Sequence, residues 1–393
     1  MSILIGIIGL ILVLAVAYAM SNNRKAIDFK AIVIMIILQI ILTLVMFKTS
    51  VGLKVIESTS NGLTKVLDYG REGINFIVGG WIPEGGSPFF VNVLLILVFT
   101  SMLLSLLTYL RILPLIIKYV GGFLSKITGL SSVSTFHAIN NIFFGQSEGI
   151  LAIKNHVLKM DTNKLIVMSV TSMASASASI MASYITMLPP KYVLGAMALN
   201  ALSGLIIGIM IAPDTSKEKE VISIKDASPA KSLFDSISLG ALDGGKVALI
   251  VAAMLVAYVG LMAAIDALFN AVIGMTLTEI LGYIFAPIAW IMGIPASEVL
   301  VAGQAMGTKL ATNEFVAMLQ FKDQIPHLTE KTVGVVSVFL ISFANFSSIG
   351  IISGTLQAIS GEKAAIVTKK GLKILIAATL VSVFTATLVG LFI

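Results

Sequence analysis

Along this chain, apolar runs long enough to cross a hydrocarbon core alternate with shorter apolar pieces that break at single polar clusters. Ile3–Met20 and Ala31–Phe47 are expected spans joined by the basic loop Ser21–Lys30. Over Lys48–Gly80, Leu53, Ile56, Leu63, Val66 and Leu67 interleave with Lys54, Glu57, Lys65 and Asp68, which predicts an amphipathic helix lying on the surface. A turn at Trp81–Gly86 precedes the third span, Pro88–Leu113, and Leu115–Thr128 reads as interfacial. Leu165–Leu188 and Tyr192–Ile211 follow as spans parted by Pro189 and Pro190. Pro213–Phe234 is a charged linker, Val247–Phe269 a span, and Ile280–Met292 a short apolar piece. Val333–Gln357 and Leu372–Ile393 complete a set of eight spans.

Two segments fit none of these patterns. Phe136–Ile150 is apolar, breaks at Gly145-Gln146-Ser147-Glu148, and turns apolar again. Each arm is about a dozen residues, which at about 1.5 Å per residue reaches half-way across a core of about 30 Å. A carboxylate at that depth costs about 2.5–3.5 kcal/mol on insertion scales and so marks a site or a pathway. The pattern predicts a re-entrant hairpin over about 131–160 with a polar tip. Pro295–Phe321, broken by Gly303, Gly307, Lys309, Asn313 and Glu314, predicts a second hairpin over about 295–325.

Composition agrees with an all-α polytopic membrane protein. The chain is 57% hydrophobic and 12% charged, with mean hydropathy +1.02, against roughly half apolar and a quarter charged in soluble domains. The net charge of +6 is therefore read as topology, not as affinity for nucleic acid. With the first loop in the cytoplasm, the four cytoplasmic sections hold 3, 6, 5 and 4 basic residues, 18 of the 26 Lys and Arg. The positive-inside rule then puts both termini outside, with the first hairpin entering from the cytoplasm and the second from outside. The first run lacks a basic n-region, so it reads as a retained span and not a secretory signal. Cysteine is absent, which excludes disulfides and thiolate metal sites.

The chain divides into N-terminal spans with the amphipathic helix (1–87), a first repeat (88–213), a cytoplasmic linker (214–246) and a second repeat (247–393). Both repeats run span, interfacial piece, hairpin, span, span. Gly129 and Gly293 are 164 apart, Glu148 and Glu314 are 166 apart, and Ser177 and Ser347 are 170 apart. Opposite entry sides make the repeats inverted, the pattern of secondary transporters with broken helices at the midplane.

Four polar constellations lie at membrane depth: Asn141 with Gln146-Ser147-Glu148; the serines of Thr171–Tyr184; Thr312-Asn313-Glu314; and Phe343-Ala344-Asn345-Phe346-Ser347-Ser348. Small serines also suit close helix packing, and the two glutamates could simply pair with Lys154 and Lys309. His137, His156 and His327 are scattered and read as solvated or interfacial, without metal-ligand spacing. Asp243 and Asp266 sit near span ends, and Trp81 and Trp290 suit the membrane interface. No phosphate-cradling glycine loop and no nucleophile elbow is present. Two carboxylates, two amides and several hydroxyls without arginine suit a neutral ligand rich in donors, whereas a dicarboxylate or phosphate would need cations. A nucleoside fits that chemistry. Asn141, Ser175 and freed backbone carbonyls offer hard oxygens for sodium. A proton-coupled carrier, a passive channel and a membrane-embedded enzyme using the carboxylates as acid and base remain alternatives.

Gly145-Gln146-Ser147-Glu148, Asn313-Glu314-Phe315-Val316-Ala317 and Phe343-Ala344-Asn345-Phe346-Ser347-Ser348-Ile349 occur in this order, and with them the whole chain resembles the concentrative nucleoside transporters. The resemblance implies a transporter without enzymatic activity, a homotrimer of the bacterial cytoplasmic membrane, and elevator-like movement of a hairpin-bearing domain. It implies that Gln146, Ser147 and Glu148 bind the base with Ile180 nearby, and that Glu314, Asn345 and Ser348 bind the ribose beside Phe343. It implies sodium as coupling ion, on the side chains of Asn141 and Ser175 and the carbonyls of Phe144 and Ala176. Some bacterial members couple to protons and lack that asparagine, so Asn141 favours sodium. Ser147 replaces the threonine of some members, and Gln146 leans towards pyrimidines such as uridine.

Overall fold

The computed structural model describes residues 2–81, 88–213 and 228–393; most of the turn expected at Trp81–Gly86 and the charged heart of the linker lie outside the described residues. Every regular element among the described residues is helical. Ser2–Ala19 forms α1 and Phe29–Lys48 forms α2, while the amphipathic stretch is one helix, α3, Ser50–Val78. Asp28 and Thr49 start the second and third by accepting from the backbone N–H of Ala31 and Gly52, which satisfies donors that a helix start leaves free.

The third span opens with a π-helical turn, Phe90–Leu94, and continues as α4, Ile96–Tyr109; α5, Ile112–Thr128, follows. The first hairpin comprises α6 (Ser132–Phe143), a break at Phe144 and Gly145, α7 (Gln146–Leu151) and α8 (Lys154–Val157). The next span is broken into α9 (Thr162–Met173) and α10 (Ala178–Tyr184), then comes α11, Pro190–Ile211.

The second half repeats this order. A long helix, α12 (Leu233–Ile273), is followed by α13 (Leu277–Ile291) and by the second hairpin, α14 (Val299–Ala311) and α15 (Glu314–Lys322). A second broken span, α16 (Glu330–Leu340) and α17 (Phe346–Gln357), precedes α18 (Gly361–Lys369) and α19 (Gly371–Gly390). In both halves the interfacial helix, α5 or α13, packs on the first arm of the hairpin that follows. The two interfacial helices give way to glycines in the left-handed region, Gly129 (φ 76°) and Gly293 (φ 85°), where a side chain would be strained.

Six helices among the described residues are long and apolar enough to cross a membrane. The two remaining expected spans fall short for visible reasons. The first has 17 qualifying residues, Ile3–Ala19. The seventh is the α16–α17 pair, cut at Ile341–Asn345.

One expectation needs correcting. Leu233–Lys246, read as the end of the linker, is the beginning of α12, which has 41 residues. Ser236, Gly240, Gly244 and Ala248 recur every fourth residue and form its buried stripe. A Cβ on Gly244 would lie 2.3 Å from the Leu97 carbonyl oxygen and one on Gly240 2.7 Å from the Met102 Cα, so α12 crosses α4 backbone to backbone. Small residues at four-residue spacing permit such a crossing.

The core is built from α9, α11, α16 and α19, where Lys164–Met173, Leu199–Ile211, Thr332–Leu340 and Val381–Gly390 are buried. Gln39 of α2 donates to the Leu199 carbonyl (3.2 Å) and to Ser203 Oγ (2.5 Å), and Thr385 of α19 donates to the same Ser203 Oγ (2.7 Å). Around this core, α1, α2, α12 and α13 turn apolar side chains outward, as helices facing lipid do.

Candidate functional site

The two broken helices meet at their breaks. The backbone N–H of Phe343, in the α16–α17 break, donates to the Ser175 carbonyl, in the α9–α10 break, at 3.0 Å. A helix interrupted at membrane depth leaves carbonyls that water cannot reach, so each needs a partner from the protein. Ser175 meets that need through Phe343, and Asn200 of α11 serves the Ile341 carbonyl at 2.5 Å.

Each hairpin tip then reaches across to the other repeat. From the first hairpin, Gln146 Nε2 donates to Ser348 Oγ (3.2 Å), and Ser147 Oγ accepts from Thr355 (2.9 Å), both partners lying in α17. From the second hairpin, Glu314 Oε1 accepts from Tyr184 Oη in α10 at 3.0 Å. Glu314 Oε2 accepts from Asn345 Nδ2 at 3.2 Å. Asn345 Oδ1 accepts from the Ser348 N–H (3.0 Å), Ser348 Oγ (3.1 Å) and Ser347 Oγ (2.7 Å), which also caps α17. Asn313 caps α15 in the same way through the Val316 N–H, at 3.0 Å. A continuous polar chain thus runs from Gln146 through Ser348 and Asn345 to Glu314 and Tyr184.

Gln146, Ile180, Glu314, Phe343, Asn345 and Ser348 are all buried. Gln146 Oε1 has no hydrogen-bond partner among the described residues, so an acceptor remains open beside the chain. Glu148 differs from these residues. Its side chain is exposed and folds back on its own hairpin, where a Cβ on Gly145 would lie 2.6 Å from Oε2. Of the alternative that the two glutamates serve Lys154 and Lys309, no direct ion pair forms among the described residues, though Glu314 and Lys309 are close enough to act on each other electrostatically.

Beneath the first tip, Asn141 is fully buried in α6. Its Nδ2 lies 3.0 Å from His137 Nε2 and 3.5 Å from Ser172 Oγ, while its Oδ1 has no donor among the described residues. Gly149 makes room for that oxygen, since a Cβ there would come within 2.0 Å of it. Ser175 Oγ, also buried, donates to the Ser172 carbonyl at 2.8 Å. Among the described residues no group of His, Asp and Glu suits a metal bound by such ligands. A buried amide oxygen without a donor is an acceptor of the hard kind that can replace part of a cation's hydration shell.

Two residues were misjudged or missed in the sequence. His137, read as solvated or interfacial, is 1% exposed, and its Nε2 lies 2.8 Å from Ser172 Oγ and 3.3 Å from the Met168 carbonyl. Its place one turn before Asn141 on the same face was the available signal. Tyr184 escaped notice as the last residue of the serine-rich stretch, yet it holds Glu314 and packs on Phe315 with ring centroids 5.2 Å apart. His156 and His327 do lie at the periphery, half-buried and exposed, and Trp290 is exposed. Asp266 accepts from the N–H (3.1 Å) and hydroxyl (3.0 Å) of Thr278, tying the end of α12 to the start of α13.

Comparison with known proteins bears directly on this arrangement. Residues 8–81 match the N-terminus and residues 192–390 the C-terminus of the Na+ dependent nucleoside transporters, and residues 90–191 match a family described as nucleoside recognition. The chain belongs to the concentrative nucleoside transporter family. Like its relatives it is an integral membrane transporter of nucleosides. It is 34% identical to the purine nucleoside transport protein NupG of Bacillus subtilis, covering 100% of both chains. It is 32% identical to the nucleoside permease NupC of Helicobacter pylori, covering 100% of this chain and 98% of that one. Among solved structures, this concentrative transporter superimposes on CNTnw in an inward-facing substrate-bound state with TM-score 0.95, at 31% identity over 100% of this chain and 99% of that one. A CNTnw variant in an outward-facing state also gives 0.95, at 30% identity over 100% and 98%.

Proposed function

We propose that this chain imports nucleosides, with a leaning to pyrimidines such as uridine, by sodium symport. The observation that carries the reading is the buried chain Gln146–Ser348–Asn345–Glu314–Tyr184, in which both hairpin tips and both broken helices contribute to one polar surface. On that surface Gln146, Ser147 and Glu148 take the base, with Ile180 packing near it. Glu314, Asn345 and Ser348 take the ribose hydroxyls, with Phe343 alongside. A carboxylate and amides without a cation at their centre suit a neutral, donor-rich ligand. Glu148, the exposed residue of the tip, turns its carboxylate to the base when the substrate arrives.

Sodium coupling follows from the open Asn141 oxygen together with Ser175 and the carbonyls of Phe144 and Ala176. When bound, the ion supplies charge where the first hairpin meets the α9–α10 break, and nucleoside and sodium strengthen each other's binding by linkage. Proton coupling through Glu148 or Glu314 is the competing reading of the same groups.

The transporter works as a homotrimer in the bacterial cytoplasmic membrane, with both termini outside. Support for the membrane setting comes from the outward apolar length of α12, where Leu249, Val256 and Val272 are exposed, and of α3, where Phe76 is exposed; the trimer and the orientation rest on the family resemblance and the distribution of basic residues. The hairpins and broken helices move together past these outer helices in an elevator-like step. A second reading of substrate, purine nucleosides, is favoured by the 34% identity to a purine nucleoside transport protein. Competition of uridine, cytidine, inosine and adenosine for labelled uridine uptake separates the two: stronger competition by inosine and adenosine than by cytidine replaces the pyrimidine leaning with the purine one.

A further inference from the structure

The sodium reading turns on Asn141, and one neighbouring side chain decides which way its amide faces. The two ends of an amide are opposites, since Oδ1 accepts and Nδ2 donates. Only the orientation that keeps Oδ1 free offers an oxygen to a cation; the reverse presents N–H groups, which repel one. The structure keeps Nδ2 on the His137 ring, 3.0 Å from Nε2, and leaves Oδ1 without a donor among the described residues. The two residues stand one turn apart on the same face of α6. Both are buried, His137 at 1% exposure and Asn141 at 0%.

How the amide faces depends on Nε2, because an imidazole nitrogen either carries a proton and donates or lacks one and accepts. Three groups converge on it. The Asn141 amide has hydrogens to give at 3.0 Å, and the Ser172 hydroxyl, 2.8 Å away, has one. The Met168 carbonyl, at 3.3 Å, can only accept, but it already receives the Thr171 hydroxyl at 2.9 Å. An accepting Nε2 therefore serves both donors and leaves no partner short. The ring proton then sits on Nδ1, which has no partner at hydrogen-bond distance; the other backbone acceptor acting on the ring is the Gly149 carbonyl, on the second arm. A proton on Nε2 would instead meet the amide hydrogens, and Asn141 would turn its oxygen to the ring. Gly149 keeps room for the oxygen on the far side, since a Cβ there would lie 2.0 Å from Oδ1 and 3.2 Å from Cγ.

We infer that His137 is the positioning residue of the sodium site: as an acceptor at Nε2 it holds the Asn141 amide with its oxygen turned toward the ion. The inference rests on the sodium reading above. His137 touches neither ion nor substrate and acts through Asn141, while Ser172 holds the ring from the end of α9. The oxygen is thus aimed before the ion arrives, as a preorganised site requires.

The test is sodium binding to the purified protein, read without nucleoside as sodium-induced protection against thermal unfolding at constant ionic strength. It compares the wild type, H137F, H137Q, N141D and the H137F/N141D double variant. H137F fills the ring's space without an acceptor, so sodium affinity is expected to fall by at least about tenfold, the scale of a lost contact to a charged group. H137Q brings an amide oxygen to the place of Nε2 and is expected to stay within about threefold of the wild type, less than the net worth of one hydrogen bond. N141D has an oxygen at both ends and needs no orienting partner. Adding H137F to N141D is therefore expected to cost less than about threefold, and the difference between the two backgrounds measures the coupling of the two residues. Wild-type sodium affinity in H137F overturns the inference. So does an equal loss in H137Q and H137F, or a loss from H137F of the same size with and without N141D, since either makes the histidine a packing residue. Where H137F does not fold, H137L is measured by the same criteria. If sodium fails to protect the wild type while nucleoside still binds, the sodium reading ends and this inference with it, whereas equal protection of the wild type and H137F ends the inference alone.

Discussion

The backbone N–H of Phe343 donates to the carbonyl of Ser175 at 3.0 Å, so the interruption in one repeat is closed by the interruption in the other. The consequence is mechanical. Ser175 stands in the expected sodium shell and Phe343 in the expected ribose shell. We expect a change in one break to be felt at the other through this main-chain bond, since the two breaks are in direct contact.

Asn141→Ala removes the open oxygen while sparing the polar chain around Glu314. Sodium activation of uptake is expected to weaken by about tenfold or more, with the rank order of competing nucleosides unchanged, because the proposed ion ligands and the proposed substrate contacts are different residues. Sodium titration of uptake at fixed uridine checks this. Unaltered sodium dependence removes Asn141 from the ion site.

Gly149→Ala is a quieter probe of the same place. The added Cβ would come within 2.0 Å of Asn141 Oδ1, so the amide must move. We expect lowered sodium affinity in a protein that still folds, since Gly149 lies mid-helix where alanine is otherwise favoured. Sodium-induced protection against thermal unfolding reads the effect without needing transport.

Glu148→Gln and Glu314→Gln are each expected to abolish concentrative uptake while the protein still inserts. Tyr184→Phe removes one of the two donors to Glu314. A hydrogen bond to a charged group is worth about 1.5–3 kcal/mol, so uptake should fall by about ten- to a hundredfold without change in expression. Normal uptake in Glu148→Gln or Glu314→Gln would return that carboxylate to a purely structural role.

Gly244→Leu tests the crossing of α12 and α4. A Cβ at this position would stand 2.3 Å from the Leu97 carbonyl oxygen, so the two helices must separate. Overpacking of this kind costs about 1–3 kcal/mol, visible as a lowered unfolding temperature in detergent. A small effect would mean that α12 adjusts its path freely along α4.

The sequence made the hairpins and the polar breaks legible because polar residues in an apolar run are expensive and therefore conspicuous. Gln146, Glu314, Asn345 and Ser348 were all found that way, and the structure joins them in one chain. What stayed hidden was whatever looks the same in two contexts. Ser236, Gly240 and Gly244 have the composition of a linker, yet at four-residue spacing they are a helix-crossing stripe. His137 and Tyr184 carry common polar groups whose roles depend on neighbours 35 and 130 residues away, Ser172 and Glu314. Lys309 was visible as a charge, but its acceptors are a backbone carbonyl and two serines that no spacing announces.

Uptake of labelled uridine into proteoliposomes, driven first by an inward sodium gradient and then by an inward proton gradient at equal sodium on both sides, tests the central claim most directly. Accumulation above equilibrium with sodium alone is the predicted result, and it supports Asn141 and Ser175 as ion ligands. Accumulation with the proton gradient alone contradicts the sodium assignment.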